Sequence, residues 1–257
     1  MSIKTNYQDE SKNAIIGSIK DTAQTSDDEF MAWFDPAENV TESISRGYWD
    51  FSFNILKKKL CKYTSNAHEK TALEIGYGGG RLLNAACKYY KHVVGIDIHD
   101  EQKKVAKFLK ENGNKNFELI KTSGNTIDYE SESVDLVYSF IVLCHMDSLD
   151  TFICYLKESY RCLKPGGIAQ LYYAARPRSR RMRLEVELKG HISSHPDLSK
   201  VNGCMVLPYT YIKPSLVHKL SKKVGFKIVD KGIAYAAAPD GYPQKKGIQS
   251  YCTLLKD

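Results

Sequence analysis

The stretch Thr71–Arg81, TALEIGYGGGR, constrains the fold more than any other part of this chain. Ala72, Leu73 and Ile75 form a short apolar run of the kind that makes a buried strand. Gly76, Gly78, Gly79 and Gly80 follow around Tyr77, and Arg81–Tyr90 has the pattern of a helix. Glycine has no Cβ, so such a loop turns sharply and lets a ligand lie against bare main chain. The helix behind it offers free N–H groups at its start. Strand, glycine turn and helix together specify an α/β layout with a ligand site at the strand's carboxyl end. The dinucleotide spacing G-x-G-x-x-G does not fit, because Arg81 stands where its last glycine belongs. A glycine-rich turn with no ligand fits the same residues.

The following residues repeat the layout. His92–Asp97 reads as a second strand ending in a carboxylate, about twenty residues beyond the glycine loop, where an acid can accept both hydroxyls of a ribose. Asp100–Asn112 reads as a helix with Val105, Phe108 and Leu109 inward and Gly113 as its stop. Phe117–Ile120 and Val134–Val142 are strands three and four, with Ser123-Gly124-Asn125-Thr126 between them. Asp147 is placed to cap a helix with Leu149, Phe152, Leu156 and Tyr160 inward. Leu163-Lys164-Pro165-Gly166-Gly167 reads as a turn into strand five, Ile168–Tyr173. Arg176–Arg183 then holds five arginines in eight residues, and little periodicity follows as far as Pro208. Pro214–Val224 is a helix. Lys227–Ala237 and Ile248–Leu255 are closing strands joined by a turn at Pro239-Asp240-Gly241 and Pro243.

Ahead of the glycine loop, residues 1–28 are polar and read as loose, and Phe30, Trp33 and Phe34 form an aromatic cluster. Asn39, with Glu42 three residues on, is a capping signal for a helix running to about Leu60. Its apolar face would be Ile44, Tyr48, Phe51 and Ile55. That helix either packs on the core or closes over a ligand through Tyr48 or Trp49.

Composition excludes several classes. The net charge of +7 over 257 residues is moderate, short of a dedicated nucleic-acid binder. Seven cysteines, none in C-x-x-C spacing, argue against a disulfide framework or structural zinc and for a reducing, cytoplasmic setting. MSIKTNYQDESKN lacks the apolar core of a signal peptide, and no apolar run has membrane-spanning length.

E-x-G-x-G-x-G over Glu74–Gly80 resembles motif I of the class I S-adenosylmethionine (SAM) methyltransferases, in the small-molecule, type 11-like branch. The L-K-P-G-G segment and the F-D-L-V-like Val134-Asp135-Leu136-Val137 carry the same resemblance. It implies a Rossmann-like sheet of seven mostly parallel strands, order 3-2-1-4-5-7-6, with helices on both faces. The domain would span residues 66–257, with 1–65 as a helical extension or lid and 176–213 as a substrate-side insertion. It implies SAM as cofactor, S-adenosylhomocysteine as product, and a cofactor site of Glu74, Gly76, Tyr77, Gly78, Gly80, Asp97, Ile98, Ser123, Gly124, Asn125 and Ser139. Glu74 would receive the methionine end. Ser123 stands where the family has an acid, which shifts the adenine contact toward the backbone at Gly124 and Asn125.

The acceptor should lie beyond strands four and five, where His145 is a candidate base. Its alternative role is a histidine bonded to backbone at a strand–helix turn. Arg178 and Arg181 are candidate anchors for an anionic acceptor, a phosphorylated or nucleotide-linked, sugar-like metabolite, with Tyr48 and Trp49 as further contacts. O- or N-methylation is open. SFIVLCHM lacks the motifs of DNA methylases, and Asp147 and Asp150 read as helix caps, so no metal is expected. Two alternatives remain: an RNA methyltransferase using the arginine run, and a non-catalytic SAM-fold partner protein.

Overall fold

The computed structural model describes residues 3–35, 37, 39–194, 208–235 and 246–257. They form one sheet of nine strands: β1 (Thr71–Ile75), β2 (His92–Asp97), β3 (Phe117–Lys121), β4 (Val134–Ser139), β5 (Leu163–Ala174), β6 (His191–Ser194), β7 (Tyr209–Ile212), β8 (Lys227–Tyr235) and β9 (Lys246–Leu255). β1 pairs in parallel with β2 and β4, β2 with β3, and β4 with β5. β9 runs antiparallel between β5 and β8. The order β3-β2-β1-β4-β5-β9-β8 is the expected 3-2-1-4-5-7-6, with β8 and β9 as sixth and seventh strands.

The remaining two strands are an addition. β6 and β7 form an antiparallel hairpin, and β7 touches β5 only at Ala174↔Tyr211. Ala174 is paired with Gln249 of β9 on its other edge. β7 therefore continues the β4 edge beyond Ser139, where β4 stops. The hairpin stands over the carboxyl end of the sheet.

Alternate residues of each central strand supply two cores. Leu73, Ile75, Val94, Ile96 and Val137 pack with α7 (Leu149–Cys162) and α9 (Pro214–Val224). Ala72, Val93, Leu136 and Tyr138 pack on the opposite face with Phe51 and α5 (Arg81–Ala86). Both faces are covered, as a parallel sheet requires. α6 (Gln102–Glu111) joins β2 to β3, burying Val105 and Leu109.

The N-terminal segment departs most from the sequence reading. Residues expected to be loose form α1 (Ile3–Thr25), followed by α2 (Asp27–Phe34), whose cap Ser26 accepts the Glu29 N–H. The helix expected over Asn39–Leu60 is α3 (Val40–Asp50), capped by Asn39 as read, and it loosens into a π-helical turn at Phe51–Ile55 before α4 (Cys61–Thr64). Ser43 and Gly47 are its buried residues rather than Ile44 and Tyr48. A Cβ on Gly47 would lie 2.5 Å from the Arg81 carbonyl oxygen, so α3 meets α5 backbone to backbone and only small residues fit.

Smaller departures have local causes. The cap of α7 is Ser148, which accepts the Thr151 N–H, while Asp147 accepts the Thr151 hydroxyl. L-K-P-G-G is the bulged start of β5, where pairing jumps from Val134↔Leu163 to Leu136↔Ile168. β4 ends at Ser139 because Ile141 turns to φ +62°. The aperiodic stretch after β5 contains α8 (Arg180–Lys189) and β6. The turn expected at Pro239–Pro243, and Cys204, lie outside the described residues. The six described cysteines are free thiols.

Candidate active site

The carboxyl ends of β1, β2 and β4 open into a cavity of about 440 Å³, a size typical of small-molecule sites. Its floor is the glycine loop. Gly76 and Gly78 have φ of +76° and +51°, and Gly80, at +89°, is the N-cap of α5. A Cβ on Gly76 would sit 2.4 Å from Val142 Cγ2, and one on Gly78 2.7 Å from Phe34 Cδ1. Side chains are thus barred twice, by the backbone conformation and by close neighbours.

Asp97 at the tip of β2 is fixed from below. Its Oδ2 accepts the Gly78 N–H at 2.8 Å and its Oδ1 the Ile98 N–H at 2.7 Å. A carboxylate has about four acceptor positions, so two remain, one per oxygen, as a ribose diol requires. His99, 1% exposed, braces the same loop. Its Nδ1 accepts the Glu101 N–H, so Nε2 carries the proton and donates to Gly78 O at 3.1 Å. Both ends of the Gly78 residue are therefore held from the β2 tip. His99 was not singled out from sequence, where an isolated histidine carries little signal.

Ile98, Ser123, Gly124 and Asn125 line the cavity with Gly76, Gly78 and Asp97. Lys12 of α1 donates to the Ser123 carbonyl at 2.5 Å, tying the N-terminal helix to the loop after β3. Trp33 and Phe34 of α2 and Ile15 and Ile19 of α1 make an apolar wall. The aromatic cluster was legible in the sequence without its place at the cavity, and the α1 residues were missed, although Ile15, Ile19 and the buried Ala23 recur every four residues.

His145 also lines the cavity, in the turn after β4. Its Nδ1 lies 3.3 Å from Pro208 O, so Nδ1 carries the proton and Nε2 is left with a lone pair. Tyr209 packs edge-on against the ring at 4.5 Å. Burial holds the imidazole pKa below its ordinary 6.5, because the charged form is poorly solvated there.

Other expected residues lie elsewhere. Glu74 is buried beneath the loop, accepts the Tyr138 hydroxyl at 2.9 Å and is not part of the cavity wall. Desolvation raises its pKa to about 8, so it is largely protonated at neutral pH. Tyr77 and Ser139 are buried in the core, Ser139 donating to Ile75 O. Tyr48 packs against the core on the α3–α5 side, and Trp49 stacks on Phe53 at 5.1 Å. Neither reaches the cavity, because α3 lies against α5 behind the glycine loop. Arg178 and Arg181 are exposed outside the cavity wall, and Arg181 pairs with Glu185 at 3.4 Å. Among the described residues no three His, Cys, Asp or Glu side chains gather as a metal site.

Known proteins fit this geometry. Residues 73–171 match the family model described as a methyltransferase domain. The chain is 31% identical over 96 residues to the ubiquinone biosynthesis O-methyltransferase of Pelagibacter ubique, covering 37% of this chain and 38% of that one. It is 27% identical over 144 residues to the protein of the same name from Hydrogenovibrio crunogenus, covering 52% and 58%. It therefore spans well under two thirds of either relative. The structure superposes on the 1,6-didemethyltoxoflavin-N1-methyltransferase of Burkholderia thailandensis with a TM-score of 0.63, 14% identity, and coverage of 100% of this chain and 91% of that one. The glycine loop lies within the residues that match a methyltransferase domain, and the sheet order and the superposition give this chain the fold of a SAM-dependent methyltransferase.

Proposed function

We infer that this chain binds SAM at the β1–β2 tips and transfers its methyl group to a small acceptor entering from the α1–α2 side. The observation that carries this reading is Asp97, held by two backbone N–H groups with acceptor capacity to spare, in one cavity with His145. Asp97 and the residues around Gly124 would hold the ribose and base. Bound SAM supplies an electrophilic methyl carbon on a sulfonium.

The residues of this chain contribute position and a base. Ile15, Trp33, Phe34 and Met146 exclude water from the cavity and favour a flat, apolar acceptor ring over a highly charged one. His145 Nε2 takes the proton of an acceptor hydroxyl, and Pro208 O holds the Nδ1–H of the resulting imidazolium. A lowered pKa keeps Nε2 unprotonated at neutral pH. The names of the two relatives, O-methyltransferases, agree with a ring hydroxyl as nucleophile.

The test is formation of S-adenosylhomocysteine from SAM with a panel of catechols and hydroxyquinones. Wild type should turn over at least one of them. His145→Asn should lose about 10²–10⁴-fold in kcat, the usual range for a general base, with SAM affinity retained. The acid limb of kcat/KM should fall below pH 6.5, following the lowered histidine pKa. Turnover in His145→Asn equal to wild type would remove the base from the account.

One observation favours the anionic acceptor expected from sequence. Burial raises the pKa of both Tyr209 and Tyr211, the charge of nearby Arg178 opposes that rise at each, and Tyr209 packs on His145. An acceptor reaching past the histidine could meet its guanidinium. Phosphorylated or nucleotide-linked sugars belong in the same panel for that reason.

A further inference from the structure

The outer surface of α8 carries a pattern that methyl transfer does not use. Leu184 and Leu188 are one helical turn apart and are 61% and 76% exposed, the highest values among the large apolar residues described as exposed. Val186 is the buried residue of the helix, at 3%. With 3.6 residues per turn, the two leucines lie on the side opposite Val186, and Arg180 and Arg181 flank them within the same arc of about 100°. Arg181 is 89% exposed. Between Arg176 and Lys189 six basic residues face two glutamates. Both glutamates are engaged, Glu185 with Arg181 and Lys189, and Glu187 with Lys213. The outermost strip of the helix is thus leucine between arginines.

We propose that α8 docks this protein onto an anionic lipid surface, with Leu184 and Leu188 entering the acyl boundary and the arginines resting on the headgroups. Each half of the pattern needs the other. Arginines at a bilayer surface gain from its negative potential, and exposed leucines gain only where water is displaced. A nucleic-acid contact would use the arginines and leave the leucines in water. A second copy of the chain would bring the same arginines face to face, and two leucines fall far short of the roughly 800 Å² per partner that a stable interface buries. No described helix is long and apolar enough to cross a membrane, so the contact is with the surface.

Position gives the contact a consequence. α8 follows the carboxyl end of β5 and turns at Gly190, φ +83°, into β6. β6 pairs with β7, whose Tyr209 packs on the cavity residue His145. Docking α8 would hold the hairpin and the cavity rim at the lipid surface, where an apolar acceptor is concentrated.

The experiment is co-sedimentation of the full chain with vesicles of phosphatidylcholine alone and of equal parts phosphatidylcholine and phosphatidylglycerol. Wild type should bind the anionic vesicles, fail to bind the neutral ones, and release at high salt. Leu184→Gln with Leu188→Gln should weaken binding by about tenfold or more, and Arg180→Gln with Arg181→Gln by a similar factor. All four positions are on the exposed side, so circular dichroism and thermal unfolding should not change. No sedimentation of wild type would overturn the proposal. So would vesicle binding lost in the arginine variant but undiminished in the leucine variant, which is adsorption by charge alone. Affinity for a single-stranded RNA oligomer that ignores the leucines, with no vesicle binding, would assign the arginines to nucleic acid instead.

Discussion

The floor of the cavity and its wall are built on different principles. The floor, from Gly76 to Asp97, works through main chain: glycines that admit close neighbours, and a carboxylate held by the N–H groups of Gly78 and Ile98. The wall of α1 and α2 works through side chains that come from far away in sequence, as Lys12 reaching Ser123 across 111 residues shows. Backbone requirements restrict residue type at each position; an apolar wall needs only shape and hydrophobicity. Cofactor recognition can therefore persist in a family while the acceptor side is rebuilt. Phe34 joins the two, since its ring lies on Gly78 and also faces the cavity.

The sharpest way to break this contrast is at the floor. Gly76→Val puts a branched side chain where a Cβ alone would meet Val142 at 2.4 Å, at a φ of +76°. Overpacking and left-handed strain together should cost about 3 kcal/mol or more of stability, read by urea denaturation. The wall should respond more mildly. Phe34→Ala removes a partly buried ring and should cost about 2 kcal/mol, below the range for fully buried phenylalanines, while weakening acceptor KM more than SAM affinity. If Phe34→Ala proved costlier than Gly76→Val, the wall would be the more constrained region.

A pH effect beneath the floor tests the same region without repacking it. Glu74 has a folded pKa raised to about 8 by burial, so the folded state binds a proton that the unfolded chain releases near 4.5. Its stabilising contribution is complete below about pH 4.5 and is lost as pH rises to about 8, at a slope of no more than about 1.4 kcal/mol per pH unit. Glu74→Gln keeps an acceptor for the Tyr138 hydroxyl and should flatten the stability profile across that window. A profile unchanged by the substitution would mean that Glu74 is ionised in the folded protein. The smallest expected effect is at the rim. Arg178→Ala with Arg181→Ala should leave stability within about 0.5 kcal/mol, since both side chains are exposed. A large loss of turnover on a phosphorylated acceptor in that variant would move the acceptor site outward to the arginines.

Sequence legibility follows the same division. The strands, Gly76 and Gly78, Asp97, the loop Ser123–Asn125 and the place of His145 were readable because strand periodicity, glycine and acid positions are local signals, whereas the sheet order followed only from the resemblance of the motifs to a known family. Glu74 shows the limit: its place in the motif is legible, but whether it faces ligand or core depends on Tyr138, whose hydroxyl bonds it from β4. Tyr48 stood on a readable helix, yet Gly47 against Arg81 turned that helix onto α5. α1 was missed because its polar residues hide a narrow stripe of Ile15, Ile19 and Ala23. The hairpin β6–β7 has strands too short for alternation to register.

The central claim is that Asp97 and the glycine loop hold SAM. Calorimetric titration of SAM and S-adenosylhomocysteine into wild type and Asp97→Ala tests it most directly, with NAD as a control ligand. The account predicts that wild type binds both and ignores NAD. It predicts that Asp97→Ala loses about 1.5–3 kcal/mol of that binding, as expected for hydrogen bonds to a charged group. Equal SAM affinity in wild type and Asp97→Ala, or a preference for NAD, would contradict it.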